Sequence, residues 1–133
     1  MRTIEWDYSE NKLALIDQRL LPGEFKINKY EDYQNVAEAI TTMVVRGAPA
    51  IGATAAFGLV LASLQSQAVG KSDLLSDLYA AGAVLKDARP TAVNLEWAVK
   101  RVIKVAEKNN GDVEDIRSAV LTEAQNIADE DVE

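Results

Sequence analysis

The sequence predicts a mostly α-helical domain of about five helices with a small N-terminal antiparallel β-sheet, an α+β fold. Three observations carry this. Up to about residue 28, short apolar-polar alternations are separated by turn clusters. From about residue 31 to 128, apolar residues recur at helical spacing. Between them, the 18 residues from Gly47 to Leu64 carry no charge and are rich in Ala and Gly, as a helix buried on all sides would be. A chain of 133 residues is long enough for one domain with a real core and too short for two ordinary ones. The expected division of residues 1–133 is a sheet over about 1–28 and a helical bundle over about 31–128.

In chain order, Arg2-Thr3-Ile4-Glu5-Trp6 alternates as a half-buried strand does, and Asp7 to Lys12 is a turn cluster. Leu13-Ala14-Leu15-Ile16 reads as the returning strand of a hairpin. After the Leu20-Leu21-Pro22-Gly23 turn, Glu24-Phe25-Lys26-Ile27 is expected to supply a third strand. Asp17, Gln18 and Arg19 lie between these strands and are expected to fix the loop rather than to touch a ligand.

Tyr33, Val36, Ala37, Ile40, Met43 and Val44 share one helical face, which predicts an amphipathic helix over Glu31–Val44. The uncharged helix follows from Pro49, where a proline suits the first turn. Its length also raises the possibility of a membrane span. Thr54, Ser63, few large apolar residues and ordinary flanks favour a buried core helix, with Gly52 and Gly58 at close helix contacts. Ser72 is the expected N-cap of the next helix, with Leu74, Leu75, Leu78, Tyr79, Gly82 and Leu85 on its inner face. Pro90 is expected to open a fourth helix bearing Val93, Trp97, Val102 and Val105 and stopping near Asn109-Asn110-Gly111. Asp112 then caps a last helix to about Ala128, with Val113, Ile116, Val120, Ala124 and Ile127 inward. From Asp112 onward there are eight acidic residues and one basic, which reads as a solvated end.

Two arginines stand out. Arg46 directly precedes Gly47-Ala48-Pro49, and Arg89 directly precedes Pro90. A cation before a helix start opposes the helix dipole unless an anion is held there, and free N–H groups of a helix start favour one. The competing reading of Arg89 is an ion pair with a surface carboxylate such as Asp87.

Composition excludes several chemistries. With no Cys there is no disulfide, thiolate ligand or cysteine nucleophile, and with no His the commonest general base and metal ligand are missing. The carboxylates of the last helix lack a convergent second cluster, so no metal is expected. The net charge of −7 argues against a nucleic-acid partner, since no basic stripe is expected anywhere along the chain. The N-terminus lacks the apolar run of a signal peptide, so a cytoplasmic protein with no membrane association is expected.

Four separated stretches resemble methylthioribose-1-phosphate isomerase of methionine salvage. They are Ile4-Glu5-Trp6, Ile16-Asp17-Gln18-Arg19-Leu20-Leu21-Pro22, Ala39-Ile40 with Met43 to Gly52, and Ala88-Arg89-Pro90-Thr91-Ala92-Val93-Asn94-Leu95-Glu96-Trp97-Ala98. The resemblance covers essentially the whole chain. It implies an N-terminal domain of a small sheet and several helices, followed in full-length members by a larger Rossmann-like domain, with homodimers the usual assembly. The superfamily includes ribose-1,5-bisphosphate isomerases and the regulatory subunits of translation initiation factor 2B. The family's substrate contacts in the first domain fall on Arg46, Gly47, Ala48 and Arg89.

The resemblance also implies that the catalytic cysteine and aspartate belong to the C-terminal domain, beyond the present chain. The family reaction converts 5-methylthioribose 1-phosphate to methylthioribulose 1-phosphate and needs no metal or organic cofactor. A fragment inactive alone is therefore expected. The alternatives are a ribose-1,5-bisphosphate isomerase domain and a non-catalytic regulatory module of the translation-factor type.

Overall fold

The computed structural model describes residues 3–45 and 47–130. Arg46, Arg2 of the expected first strand, and the end of the acidic stretch lie outside the described residues. The fold is a three-stranded antiparallel sheet, β1 (Ile4–Asp7), β2 (Lys12–Ile16) and β3 (Ile27–Tyr30) in that order, beside five helices. These are α1 (Tyr33–Thr41), α2 (Ala48–Gln65), α3 (Lys71–Ala88), α4 (Val93–Lys108) and α5 (Val113–Glu130). The mostly helical α+β class expected from the sequence is the one observed.

The hairpin forms as the alternation predicts, with Ile4 opposite Leu15 and Trp6 opposite Leu13. Asp7 shapes its turn by accepting from the Ser9 and Glu10 N–H groups, and Lys29 reaches back to Asp7 at 3.1 Å. Ile4, Trp6, Leu13 and Leu15 are buried, and the Trp6 ring stacks on Phe57 of α2 at 5.6 Å between centroids.

The third strand is not Glu24–Ile27. It begins at Ile27, the residue paired with Ile16 at the end of β2, so earlier residues have no strand to pair with. They form a turn instead: the Asp17 N–H donates to Lys26 O at 2.9 Å, and the Glu24 N–H to Leu20 O at 2.8 Å.

α1 is shorter than Glu31–Val44. Asp32 caps its start by accepting from the Asn35 N–H at 2.7 Å. At its end the Val44 N–H donates to Ala39 O and the Met43 N–H to Ile40 O, with Met43 at φ 66°. That is a Schellman closure in which methionine occupies the left-handed position glycine usually takes. Met43 is accordingly turned out and 44% exposed, while Val44 is buried.

α2 is the centre of the core. It is long and apolar enough to cross a membrane, but 13 of its 18 residues are buried by the sheet and the other four helices. Its two buried hydroxyls are satisfied within the helix: Thr54 donates to Ala50 O at 2.8 Å and Ser63 to Val60 O at 2.6 Å. Arg117 closes its C-terminus, donating from Nε to Ser63 O and from Nη2 to Ser66 O, both at 2.7 Å. Gly58 takes Leu85 and Val36 against its Cα, as expected of a close helix contact.

α3 starts at Lys71 with Gly70 as N-cap, so Ser72 lies inside the first turn and does not cap it. Lys71 instead donates from Nζ to Glu107 O and Asn109 O, closing the end of α4. Leu74, Leu78, Gly82 and Leu85 face inward with Ala81, whereas Leu75 is only half-buried. Tyr79 is exposed and its hydroxyl donates to Glu107 at 2.6 Å.

Pro90 does not open α4. The Ala92 N–H donates to Arg89 O at 2.9 Å, which places Pro90 at the second position of a β-turn, where its fixed φ is favoured. The helix begins three residues later at Val93. Its buried stripe is therefore Leu95, Ala98, Val99, Val102 and Ala106, while Val93 and Trp97 are exposed and Val105 is only half-buried. α5 follows expectation: Asp112 accepts from the Asp115 N–H at 2.9 Å, and all five anticipated inner residues are buried.

Candidate anion-binding site

Four helix ends gather at one end of the bundle. Thr41, the last residue of α1, donates its hydroxyl to Ala88 O at the end of α3. The starts of α2 and α4 touch at Gly52, where a Cβ would lie 3.0 Å from Asn94 O and 3.6 Å from the Ala98 Cβ. Only a residue without a side chain lets the two backbones approach so closely. The chain segments that follow Arg46 and Arg89 are thus neighbours.

Neither helix start is capped by a side chain. Gly47 is the N-cap of α2 at φ 93°, a conformation that favours glycine, and the space beside its Cα is open. Ala92 is the N-cap of α4 and its methyl side chain offers no acceptor. By contrast, aspartates cap α1 and α5. The first N–H groups of α2 and α4 therefore lack the acceptors a capping residue would supply, and both positive dipole ends lie together.

Arg89 ends α3 and leads through its turn with Ala92 into the start of α4. It is half-buried, and its Nη1 is buried without a hydrogen-bond partner among the described residues. Asp87, the carboxylate weighed as its partner, forms no ion pair with it among the described residues. A guanidinium N–H shut away from water without an acceptor costs free energy, and an anion placed there recovers it. Of the four residues assigned from the resemblance, Gly47 and Ala48 are exposed at the start of α2 and Arg89 stands by α4. Arg46 lies outside the described residues.

Asp17, Gln18 and Arg19, between β2 and β3, form a buttress against the α1–α2 loop. Asp17 is 2% exposed and holds Arg19 through Nε at 2.9 Å and Nη2 at 2.6 Å. These Arg19 hydrogen bonds keep the Asp17 carboxyl at about 2, below its ordinary value. The Gln18 N–H donates to Val44 O at 2.9 Å, a link between residues 26 apart that no sequence spacing announces. A cavity of about 500 Å³ lies alongside, lined by Arg19, Asn28, Tyr30, Asn35, Thr42 and Val44 among others.

One expectation on charge is corrected. A basic stripe does exist on α4, where Lys100, Arg101, Lys104 and Lys108 line a cavity of about 440 Å³ with Trp97. It is invisible in the overall balance because the rest of the chain is acidic. Arg101 is already engaged by Glu123 and Glu130 and stacks over Trp97 at 5.2 Å.

Residues 44–133 match the model of the initiation factor 2 subunit family. The chain belongs to that family. A Pyrococcus abyssi protein named as a candidate methylthioribose-1-phosphate isomerase is 50% identical over 128 residues, 96% of this chain and 36% of its own. The solved 5-methylthioribose 1-phosphate isomerase of Pyrococcus horikoshii superposes with a TM-score of 0.90 at 47% identity, over 98% of this chain and 36% of that one. The translation initiation factor eIF-2B delta subunit from A. fulgidus superposes with a TM-score of 0.92 at 36% identity, over 99% of this chain and 38% of that one. The chain thus spans about a third of the length of the family members it matches. In this initiation factor 2 subunit fold, the starts of α2 and α4 carry two of the four stretches that resemble the isomerase.

Proposed function

We propose that this chain is the substrate-binding N-terminal domain of an isomerase that converts 5-methylthioribose 1-phosphate to methylthioribulose 1-phosphate in methionine salvage. The observation that carries the reading is the meeting of two helix starts without side-chain caps, one of them entered through the turn that begins at Arg89, whose Nη1 is buried without a hydrogen-bond partner among the described residues. Relatives near half identity bearing that enzyme's name supply the substrate.

Because C1 of the sugar bears the phosphate, the ring must open before hydrogen moves between C1 and C2. Gly47, Ala48 and the α4 start would receive the anionic group on main-chain N–H donors, with Arg46 and Arg89 clamping it. Such clamping supplies orientation, which is a large part of what catalysis requires. The acid and base would come from a second, Rossmann-like domain, and the whole protein would work as a cytoplasmic homodimer.

The experiment is an assay of the purified chain with 5-methylthioribose 1-phosphate, together with calorimetric titration of the same sugar and of ribose 1,5-bisphosphate. The expected result is binding of the methylthio sugar without turnover. Enzyme-dependent ketose formation by the chain alone would overturn its assignment as a binding domain. Preference for the bisphosphate would move it to the sister isomerase. Binding of neither would favour the regulatory reading that the eIF-2B delta likeness supports.

A further inference from the structure

The loop between α1 and α2 carries Gly47 and Ala48, so whatever fixes it fixes the site. Val44 is held at both ends of its backbone: its N–H donates to Ala39 O at 3.0 Å, and its C=O accepts from the Gln18 N–H at 2.9 Å. The first bond belongs to α1 itself and requires Met43 at φ 66°, which is unfavourable for a residue with a side chain. The second comes from a separate element, the 3-10 turn Gln18–Leu20.

That turn is built to be rigid. Asp17 caps it by accepting from the Arg19 N–H at 3.1 Å, and the same carboxylate grips the Arg19 side chain twice and receives Asn28 Nδ2 at 3.4 Å. The Asp17 N–H is tied to Lys26 O. This buried carboxylate thus orients one short turn and ties it to β3 through Asn28, and the Gln18 N–H of that turn reaches the α1–α2 loop at Val44 O.

We propose that the Asp17-Gln18-Arg19 turn is a positioning device for the anion site, acting through the Gln18 N–H on Val44 and so setting the approach of Gly47 and Ala48 to the ligand. Its role in binding rests on the function proposed above; its role in fixing the loop does not.

The test uses Gln18→Pro against Gln18→Ala. Gln18 is the first residue of its turn, where proline is tolerated, and Asp17 before it is extended (φ −74°, ψ 100°), as a residue preceding proline prefers. Proline therefore deletes the donated N–H, while alanine deletes the side chain and keeps that N–H. Amide exchange at Met43 and Val44, whose N–H groups donate to Ile40 O and Ala39 O, should be at least tenfold faster in Gln18→Pro than in Gln18→Ala, with Val120 and Ala124 of α5 unchanged between the two. Affinity for 5-methylthioribose 1-phosphate should fall about tenfold further in the proline variant, and Asp17→Asn should move both readouts the same way, with Asp17→Glu partly restored. Equal loop exchange in the two Gln18 variants, or acceleration spread evenly over α5, overturns the proposal. Faster loop exchange with unaltered affinity overturns its binding half. A parent chain that fails to bind the sugar overturns the proposed function instead, and the exchange comparison still decides the anchor.

Discussion

Gly52 lies so close to Asn94 that a methyl group on its Cα would sit 3.0 Å from the Asn94 carbonyl oxygen. That contact fixes the start of α2 against the start of α4. Gly58, six residues on, is equally tight, but its neighbours are the Leu85 methyls at 3.0 and 3.1 Å and a Val36 methyl at 3.3 Å. The two glycines should respond differently to the same substitution. Gly52→Ala meets backbone, which cannot step aside, and should lower the melting temperature despite a helix-propensity gain of about 1 kcal/mol. Gly58→Ala meets flexible side-chain ends and should stay close to the parent. Leucine at either position should cost about 1–3 kcal/mol or more by overpacking. Chemical denaturation of the four variants checks the order, and a Gly58→Leu protein as stable as the parent would show that the α2 contact is looser than described.

Met43 offers a change in the opposite direction. Holding a side chain in the left-handed region costs on the order of 1–2 kcal/mol, and Met43 is exposed enough to lose little burial. Met43→Gly should therefore raise stability by roughly 0.5–1 kcal/mol, less than the full strain because glycine also loosens the unfolded chain. A thermal melt showing a drop would mean that the methionine side chain contributes more to the fold than its exposure suggests.

How far the sequence revealed this structure depended on whether the deciding partner was local. α5 was legible because its Asp112 cap and its inner residues all lie within one stretch. α2 has no apolar periodicity, yet its lack of charge was enough to place it in the core. The third strand was misplaced because its start is set by where β2 ends, a matter of pairing between distant residues. Pro90 was compatible with both a helix start and a turn, and choosing the first put Val93 and Trp97 on the wrong face of α4. At the candidate site, the arginine–proline stretches were visible as residues. The Gly52–Asn94 approach and the Gln18–Val44 bond that assemble them were not, since each joins segments far apart in sequence.

Acid should weaken the fold through two carboxylates near the sheet. Asp17 titrates at about 2 in the folded chain because of its Arg19 hydrogen bonds, against about 3.9 when unfolded. Asp7 is also held below the usual carboxylate range, first by the Ser9 hydroxyl and then by Lys29. A folded pKa below the unfolded one stabilises above the unfolded value, and that stability is lost as pH falls through the folded value. Between pH 4 and 2 the Asp17 contribution should disappear, roughly 1–2 kcal/mol once the half-exposed Arg19 is discounted for solvent screening. Asp17→Asn should be less stable at neutral pH and show a flatter decline over that window in urea titrations. A variant that keeps the parent's slope would mean that another group carries the acid sensitivity.

Arg89 should separate binding from folding. Its Nη1 is buried without an acceptor among the described residues, so the apo fold gains little from the guanidinium and carries the cost of shielding it. Arg89→Ala should therefore change the melting temperature only slightly. In the anion complex the same group would form a charge-assisted hydrogen bond worth roughly 1.5–3 kcal/mol, so affinity for 5-methylthioribose 1-phosphate should drop about ten- to a hundredfold. Arg89→Lys should recover part of that loss, because lysine keeps the charge but not the planar fork. Arg46→Ala should behave alike if both guanidinium groups serve one anion. Calorimetry alongside thermal melts distinguishes the cases: a large stability loss with unchanged affinity would make Arg89 a structural residue, and the two neighbouring helix starts would then have to bind the phosphate through main-chain N–H groups alone.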